Sequence, residues 1–203
     1  MKLYQSSVSP NSRRVRVFLA EKGLAVPFVE IDITKGASHT PEYLKINAMG
    51  EVPVLETDDG GYIAESVAIC RYFEALQPET ALFGVTPGEI GAIEMWQRRI
   101  ELKWFGPLTM YWMHSAPMWA HRLRQIPQWA EENRQAVSAF VTWLDGELAE
   151  REYIAGEQYS MADILALTTL DHAQGRVGLA TSPDLKNLAR WHPAVSSRPS
   201  AQA

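Results

Sequence analysis

Cysteine is all but missing from the chain: Cys70 is the only one. A single thiol excludes an internal disulfide framework and any metal site built from several thiolates. Long apolar runs are missing too. No stretch approaches the ~20 apolar residues that a bilayer span requires, and the opening MKLYQSSVSPNS has no apolar signal core ahead of its polar turn. The expectation is a cytoplasmic protein with no membrane partner. Positive charge is in deficit as well, the formal net charge being -5. The one basic cluster near a motif, Arg13, Arg14 and Arg16, has Glu21 and Glu30 close by, too little for a nucleic-acid-binding stripe. Internal repeats and low-complexity segments are absent.

What is present is an ordinary globular balance, 46% apolar and 21% charged over 203 residues. That suits one large domain or two small ones. The first part alternates strand and helix signals. Lys2-Leu3-Tyr4-Gln5 reads as a strand, followed by a polar turn and a helix from Ser12 with Val15, Phe18 and Leu19 on one face. Gly23 stands where a helix C-terminal glycine belongs. Phe28 to Asp32 reads as a second strand, and Pro41-Glu42-Tyr43-Leu44 as a short helix with proline in its first turn. Val52 to Glu56 and Tyr62-Ile63-Ala64 form a hairpin across Asp58-Asp59-Gly60-Gly61. Ser66 to Leu76 closes the unit as an amphipathic helix with Val67, Cys70, Phe73 and Leu76 inward. A βαβ unit followed by ββα is a thioredoxin-like arrangement.

Beyond it the signal changes. Pro78, Gly84, Pro87 and Gly88 punctuate a linker, and no strand pair follows. Helical windows run through Ile93 to Phe105, Met118 to Arg124, Trp129 to Glu150, Met161 to Thr169 and Asp184 to Trp191. The fold class is therefore α/β plus all-α: residues 1–78 thioredoxin-like, 79–90 a linker, 91–203 all-helical. Ser160 three residues ahead of Asp163 reads as a capping box, a structural helix start.

Taken singly, Ser9-Pro10-Asn11-Ser12, Val52-Pro53 and Glu65-Ser66 are ordinary capping and strand-start chemistry. In this order within one βαβ…ββα unit they are more specific. The segments SPNSRRVRVFLAEKG (Ser9 to Gly23), NAMGEVPVL (Asn47 to Leu55), ESVAICRYF (Glu65 to Phe73) and GEQYSMADI (Gly156 to Ile164) resemble the cytosolic glutathione transferases, over essentially the whole chain. The match has serine-type features of the zeta, theta and bacterial nu-like members.

The resemblance implies glutathione as co-substrate, no metal, a small and largely apolar electrophile, and a homodimer. It places the Val52 backbone, ahead of a cis Pro53, along the cysteinyl part of glutathione. The Glu65-Ser66 pair falls at the γ-glutamyl end, and His39, in the loop after Lys35, near the glycyl carboxylate. Ser9 takes the catalytic hydroxyl position, with Asn11 beside it as in the Thr-Pro-Asn of nu-like members; Ser6, Ser7 and Ser12 lie close enough to compete. The second substrate falls to the aromatic-rich stretch from Trp104 to Trp119, with Tyr111 and His114 the leading pocket candidates. No cysteine occupies the Ser9 to Ser12 segment, which argues against a protein-thiol mixed disulfide. Conjugation is the leading reaction. Glutathione-dependent disulfide reduction, isomerisation, dehalogenation, ether cleavage and a non-catalytic binding module are the alternatives.

Overall fold

The computed structural model describes all 203 residues. They divide into two compact units: Met1–Leu82 together with Arg198–Ala203, and Phe83–Ser197.

The first unit is built on a four-stranded sheet in the order β2-β1-β3-β4. Its strands are β1 (Lys2–Gln5), β2 (Phe28–Glu30), β3 (Val54–Glu56) and β4 (Tyr62–Ala64). β1 pairs parallel to β2 and antiparallel to β3, and β3 pairs antiparallel to β4. Helices α1 (Pro10–Glu21), α2 (Pro41–Leu44) and α3 (Ser66–Leu76) complete the thioredoxin-like arrangement. Leu3, Val15, Phe18, Val54, Leu55, Ile69 and Cys70 are fully buried. Gly23, at φ +64, takes the left-handed conformation that ends α1. Leu76, expected to face inward, is 56% exposed; the buried stripe of α3 ends at Phe73.

The second unit is all helical: α4 (Pro87–Ile100), α5 (Gly106–Ser115), α6 (Pro127–Glu147), α7 (Met161–His172) and α8 (Lys186–Ser196). A π turn at Glu101–Phe105 joins α4 to α5, and another at Ala173–Val177 extends α7. The window expected to end at Phe105 thus runs on to Ser115, through Pro107. Proline lacks an N–H and crowds the carbonyl four residues back; the wider π ring, in which the Gly106 N–H reaches the Glu101 carbonyl, accommodates it. Met118 to Arg124, expected as a helix, holds only part of the 3-10 turn Pro117–Trp119 before the chain loops. Ala116, ahead of Pro117, is forced extended (φ -80°, ψ 130°). Gln125 then donates to the Met113 and Ala116 carbonyls at the end of α5.

Two boundaries differ from the sequence reading. Inside the stretch 79–90, α4 starts at Pro87, because Thr86 and Glu89 close a capping box. At the chain end, Arg198–Ala203 belongs to the first unit rather than the helical one. Arg198 grips Glu21 through both arms at 2.7 Å, Ser200 donates to the same carboxylate, and Arg13 donates to the Ala201 carbonyl at 2.9 Å. Burial alone would raise the Glu21 carboxyl; the Arg198 and Ser200 bonds outweigh it and hold it below the ordinary value.

The expected Ser160–Asp163 capping box is present. Asp163, fully buried, also accepts from the Ile154 N–H and the Trp191 indole N–H, each at 2.9 Å. Burial pushes its carboxyl up to about 6, against those donated bonds.

Candidate functional site

Strand register decides which loops meet. Tyr4 lies opposite Val54, Val54 opposite Ala64, and Gln5 beside Glu30. The exit of β1, the entry to β3 and the exits of β2 and β4 therefore share one end of the sheet. From that end emerge the Ser6–Ser9 turn, Val52-Pro53, Glu65-Ser66 and the loop that carries His39.

Ser9 is the N-cap of α1, extended at φ -88° and ψ 125°, with its Oγ accepting the Ser12 N–H at 3.3 Å. Its hydroxyl hydrogen is not used by that bond. Ser12 is different: it is fully buried, and its Oγ accepts the Ser6 N–H at 3.1 Å, so it braces the turn from inside. Asn11 sits half-buried in the first helical turn, its Oδ1 buried without a donor. The turn is braced again from β2. Glu30 Oε1 accepts both the Ser7 N–H (2.8 Å) and the Ser7 hydroxyl (3.0 Å). Gln5 links the other Glu30 oxygen to the Arg16 guanidinium. No local spacing in the sequence announces this chain of contacts, because its members come from β1, β2 and α1.

The Val52-Pro53 bond is cis, as expected. Just ahead of it, the Glu51 carbonyl accepts from the Tyr43 hydroxyl (2.8 Å) and Asn47 Nδ2 (2.9 Å), fixing the peptide that leads into Val52. Val52 is buried and stands outside the strand ladder. His39 packs against Gly50: a Cβ there would lie 2.2 Å from His39 Nδ1, and φ is +68. Only glycine meets both demands, and the contact brings His39 to the Val52 segment.

Glu65, at the N-cap of α3, has φ 67° and ψ 119°, uncommon for a residue with a Cβ. Such conformations cost on the order of 1–3 kcal/mol and gather at functional sites. No side chain caps α3, whereas α4 and α7 have complete capping boxes. The first N–H groups of α3, beginning at the buried Ser66, form a positive end suited to a carboxylate. Cys70, further along α3, is fully buried, and desolvation pushes its thiol well up; it is not a thiolate nucleophile.

Tyr111 and His114 lie on α5 of the helical unit, both half-buried. His114 Nδ1 accepts the Ile126 N–H at 3.1 Å, a bond that anchors the loop after α5. Of the aromatic-rich stretch, Trp104 turns into the core against Phe140. Phe105, Trp112 and Trp119 instead form a cluster with His172, which lies too far along the chain for a local pattern to associate it with them.

Comparison with known proteins agrees with this architecture. Residues 3–81 match the model of the glutathione S-transferase N-terminal domain, and residues 108–199 that of the C-terminal domain. Glutathione S-transferase 2 of Saccharomyces cerevisiae is 37% identical over 206 residues, covering 100% of this chain and 88% of the relative. The crystal structure of Gtt2 from the same yeast superposes with a TM-score of 0.93, covering 100% of this chain and 99% of that one. A glutathione S-transferase domain-containing protein of Marinobacter aquaeolei, 32% identical, has a TM-score of 0.92 and coverage of 98% and 99%.

Proposed function

The chain belongs to the glutathione S-transferase family, and on that premise we propose that it activates glutathione for attack on a small, largely apolar electrophile. The observation that carries this reading is the Ser9 hydroxyl: its oxygen is occupied by the Ser12 N–H, which leaves its hydrogen to donate. A free thiol has a pKa of about 8.5 and is mostly protonated at neutral pH. A hydroxyl donor at a helix N-terminus favours the thiolate, with the Asn11 amide a second group at the same sulfur. Ser66 meets the γ-glutamyl carboxylate, Glu65 the adjoining amine, the Val52 backbone the cysteinyl part, and His39 the glycyl carboxylate. Tyr111 and His114 contribute to holding the second substrate.

The thiol proton passes to solvent. The sulfur lone pair forms a C–S bond at the electrophilic carbon, and the leaving group departs with the pair of the bond that breaks. Positioning and thiolate stabilisation supply the rate. The test is retention on immobilised glutathione, followed by conjugation of a chlorodinitroarene read by chloride release. Wild type should bind and turn over, and Ser9→Ala should bind but lose most turnover. Absence of retention, or turnover equal to the uncatalysed rate, overturns the proposal.

A further inference from the structure

The turn that presents Ser9 is held from two sides. From within its own stretch of chain, the Ser9 N–H donates to the Ser6 carbonyl at 3.0 Å, and Ser12 Oγ accepts the Ser6 N–H at 3.1 Å. Those bonds fix the ends of the turn and leave its exposed middle, Ser7 and Val8, to another anchor. That anchor is a carboxylate 23 residues further on: Glu30 Oε1 accepts the Ser7 N–H at 2.8 Å and the Ser7 hydroxyl at 3.0 Å. Strand register puts it there. Glu30 ends β2 opposite Gln5, which ends β1, and beside them the Ile31 N–H donates to the Gln5 carbonyl at 2.7 Å. Gln5 donates to the second Glu30 oxygen and accepts from the Arg16 guanidinium. Arg16 stands four residues after Ser12 on α1, so the helix face that braces Ser6 also anchors Gln5. The chain Ser7–Glu30–Gln5–Arg16 ties the turn both to the sheet and to the helix that Ser9 caps.

An exposed carboxylate is ordinarily solvated or paired with a cation. Elsewhere on the chain Glu56 meets Lys2, Glu131 meets Arg134 and Glu147 meets Arg151. Glu30, also exposed, directs both its oxygens to neutral donors of the turn and of β1. Bonds to an ionised acceptor are roughly twice as strong as neutral ones, which makes Glu30 the firmest anchor of the turn. Its charge does not account for the placement, because an anion near a thiol disfavours the thiolate. Its geometry does, because the segment it fixes runs directly into Ser9.

We propose that Glu30 is a positioning residue for thiol activation: by holding the Ser7 N–H and hydroxyl it sets where the Ser9 hydroxyl stands. This rests on the reading of Ser9 as the thiol-activating group. The test is a cycle of Glu30→Ala, Ser9→Ala and the double variant. In each, the ultraviolet thiolate absorbance of bound glutathione is titrated, and kcat and KM are measured with the chlorodinitroarene. Glu30→Ala should move the titration upward, by part of the shift that Ser9→Ala produces. Its kcat should fall on the order of tenfold, since a displacement of about 1 Å at a reacting group costs up to about a hundredfold. KM for glutathione, whose binding is assigned to Val52, Ser66 and His39, should stay near the wild-type value. In the Ser9→Ala background, Glu30→Ala should change neither titration nor kcat, because there is no hydroxyl left to position. A titration unmoved or moved downward by Glu30→Ala in the otherwise wild-type chain overturns the proposal, and so does the same shift in both backgrounds. If Glu30→Ala does not fold, Ser7→Ala, which removes only the hydroxyl contact, decides by the same criteria. Ser9→Ala without effect would refute the Ser9 reading and this inference with it. An effect of Ser9→Ala with none of Glu30→Ala would refute this inference alone.

Discussion

At the scale of single residues, two serines three positions apart divide the work of the Ser6–Ser12 turn. Ser12 Oγ is the acceptor for the buried Ser6 N–H, so Ser12→Ala should cost about 1–3 kcal/mol in urea unfolding. Ser66→Ala is expected to do the reverse, sparing stability while lowering glutathione affinity by about 1.5–3 kcal/mol in calorimetric titration, the worth of a bond to a charged group. Unchanged affinity would remove Ser66 from the γ-glutamyl end. The cap of α1 by Ser9 was legible in the sequence because a cap is a local pattern. Glu30, Gln5 and Arg16 were not, since strand pairing and α1 packing bring them to the turn. Ser9 and Ser12 look alike in the sequence for a related reason: both are hydroxyls beside a helix start, both are buried, and only the folded turn shows that Ser9 Oγ accepts the Ser12 N–H and Ser12 Oγ the Ser6 N–H.

At the scale of elements, helix ends written in adjacent residues could be read and interruptions could not. The Ser160–Asp163 box was visible, whereas α5 was hidden by Pro107 and the Met118 to Arg124 window overlooked what Pro117 does to Ala116. The α4 box gives a direct check: Thr86→Ala should lower stability by about 1 kcal/mol in urea unfolding. Asp163 adds a pH dependence. Its folded carboxyl, raised to about 6 by burial, binds its proton more tightly than the unfolded chain does, with an ordinary value near ~3.9. Its stabilising contribution is therefore complete below about pH 4 and is lost as pH rises through about 6, on the order of 3 kcal/mol in all. Unfolding free energies of wild type and Asp163→Asn should differ in slope across that window and run parallel above it.

At the scale of the whole molecule, the chain's last residues complete its first unit, which no sequence boundary signalled because the partners Glu21 and Arg198 come from opposite ends. Arg198→Ala leaves a Glu21 carboxylate that is 8% exposed without its fork. The variant should lower the first unit's stability by about 2 kcal/mol in denaturant unfolding above pH 5, and the difference should shrink as pH falls and Glu21 is protonated. The homodimer remains our proposal. Leu102 at 66% and Trp129 at 48% exposure are apolar surface for a second copy to cover, and sedimentation equilibrium at micromolar concentration should give twice the chain mass of 22.8 kDa. The central claim is that the chain makes glutathione a nucleophile through Ser9, and the most direct measurement is the ultraviolet thiolate absorbance of bound glutathione against pH. Wild type should titrate at least about one unit below the free thiol value of ~8.5, and Ser9→Ala should move most of the way back while Ser12→Ala does not. A titration left unmoved by Ser9→Ala, or a wild-type value equal to that of free glutathione, would contradict the account.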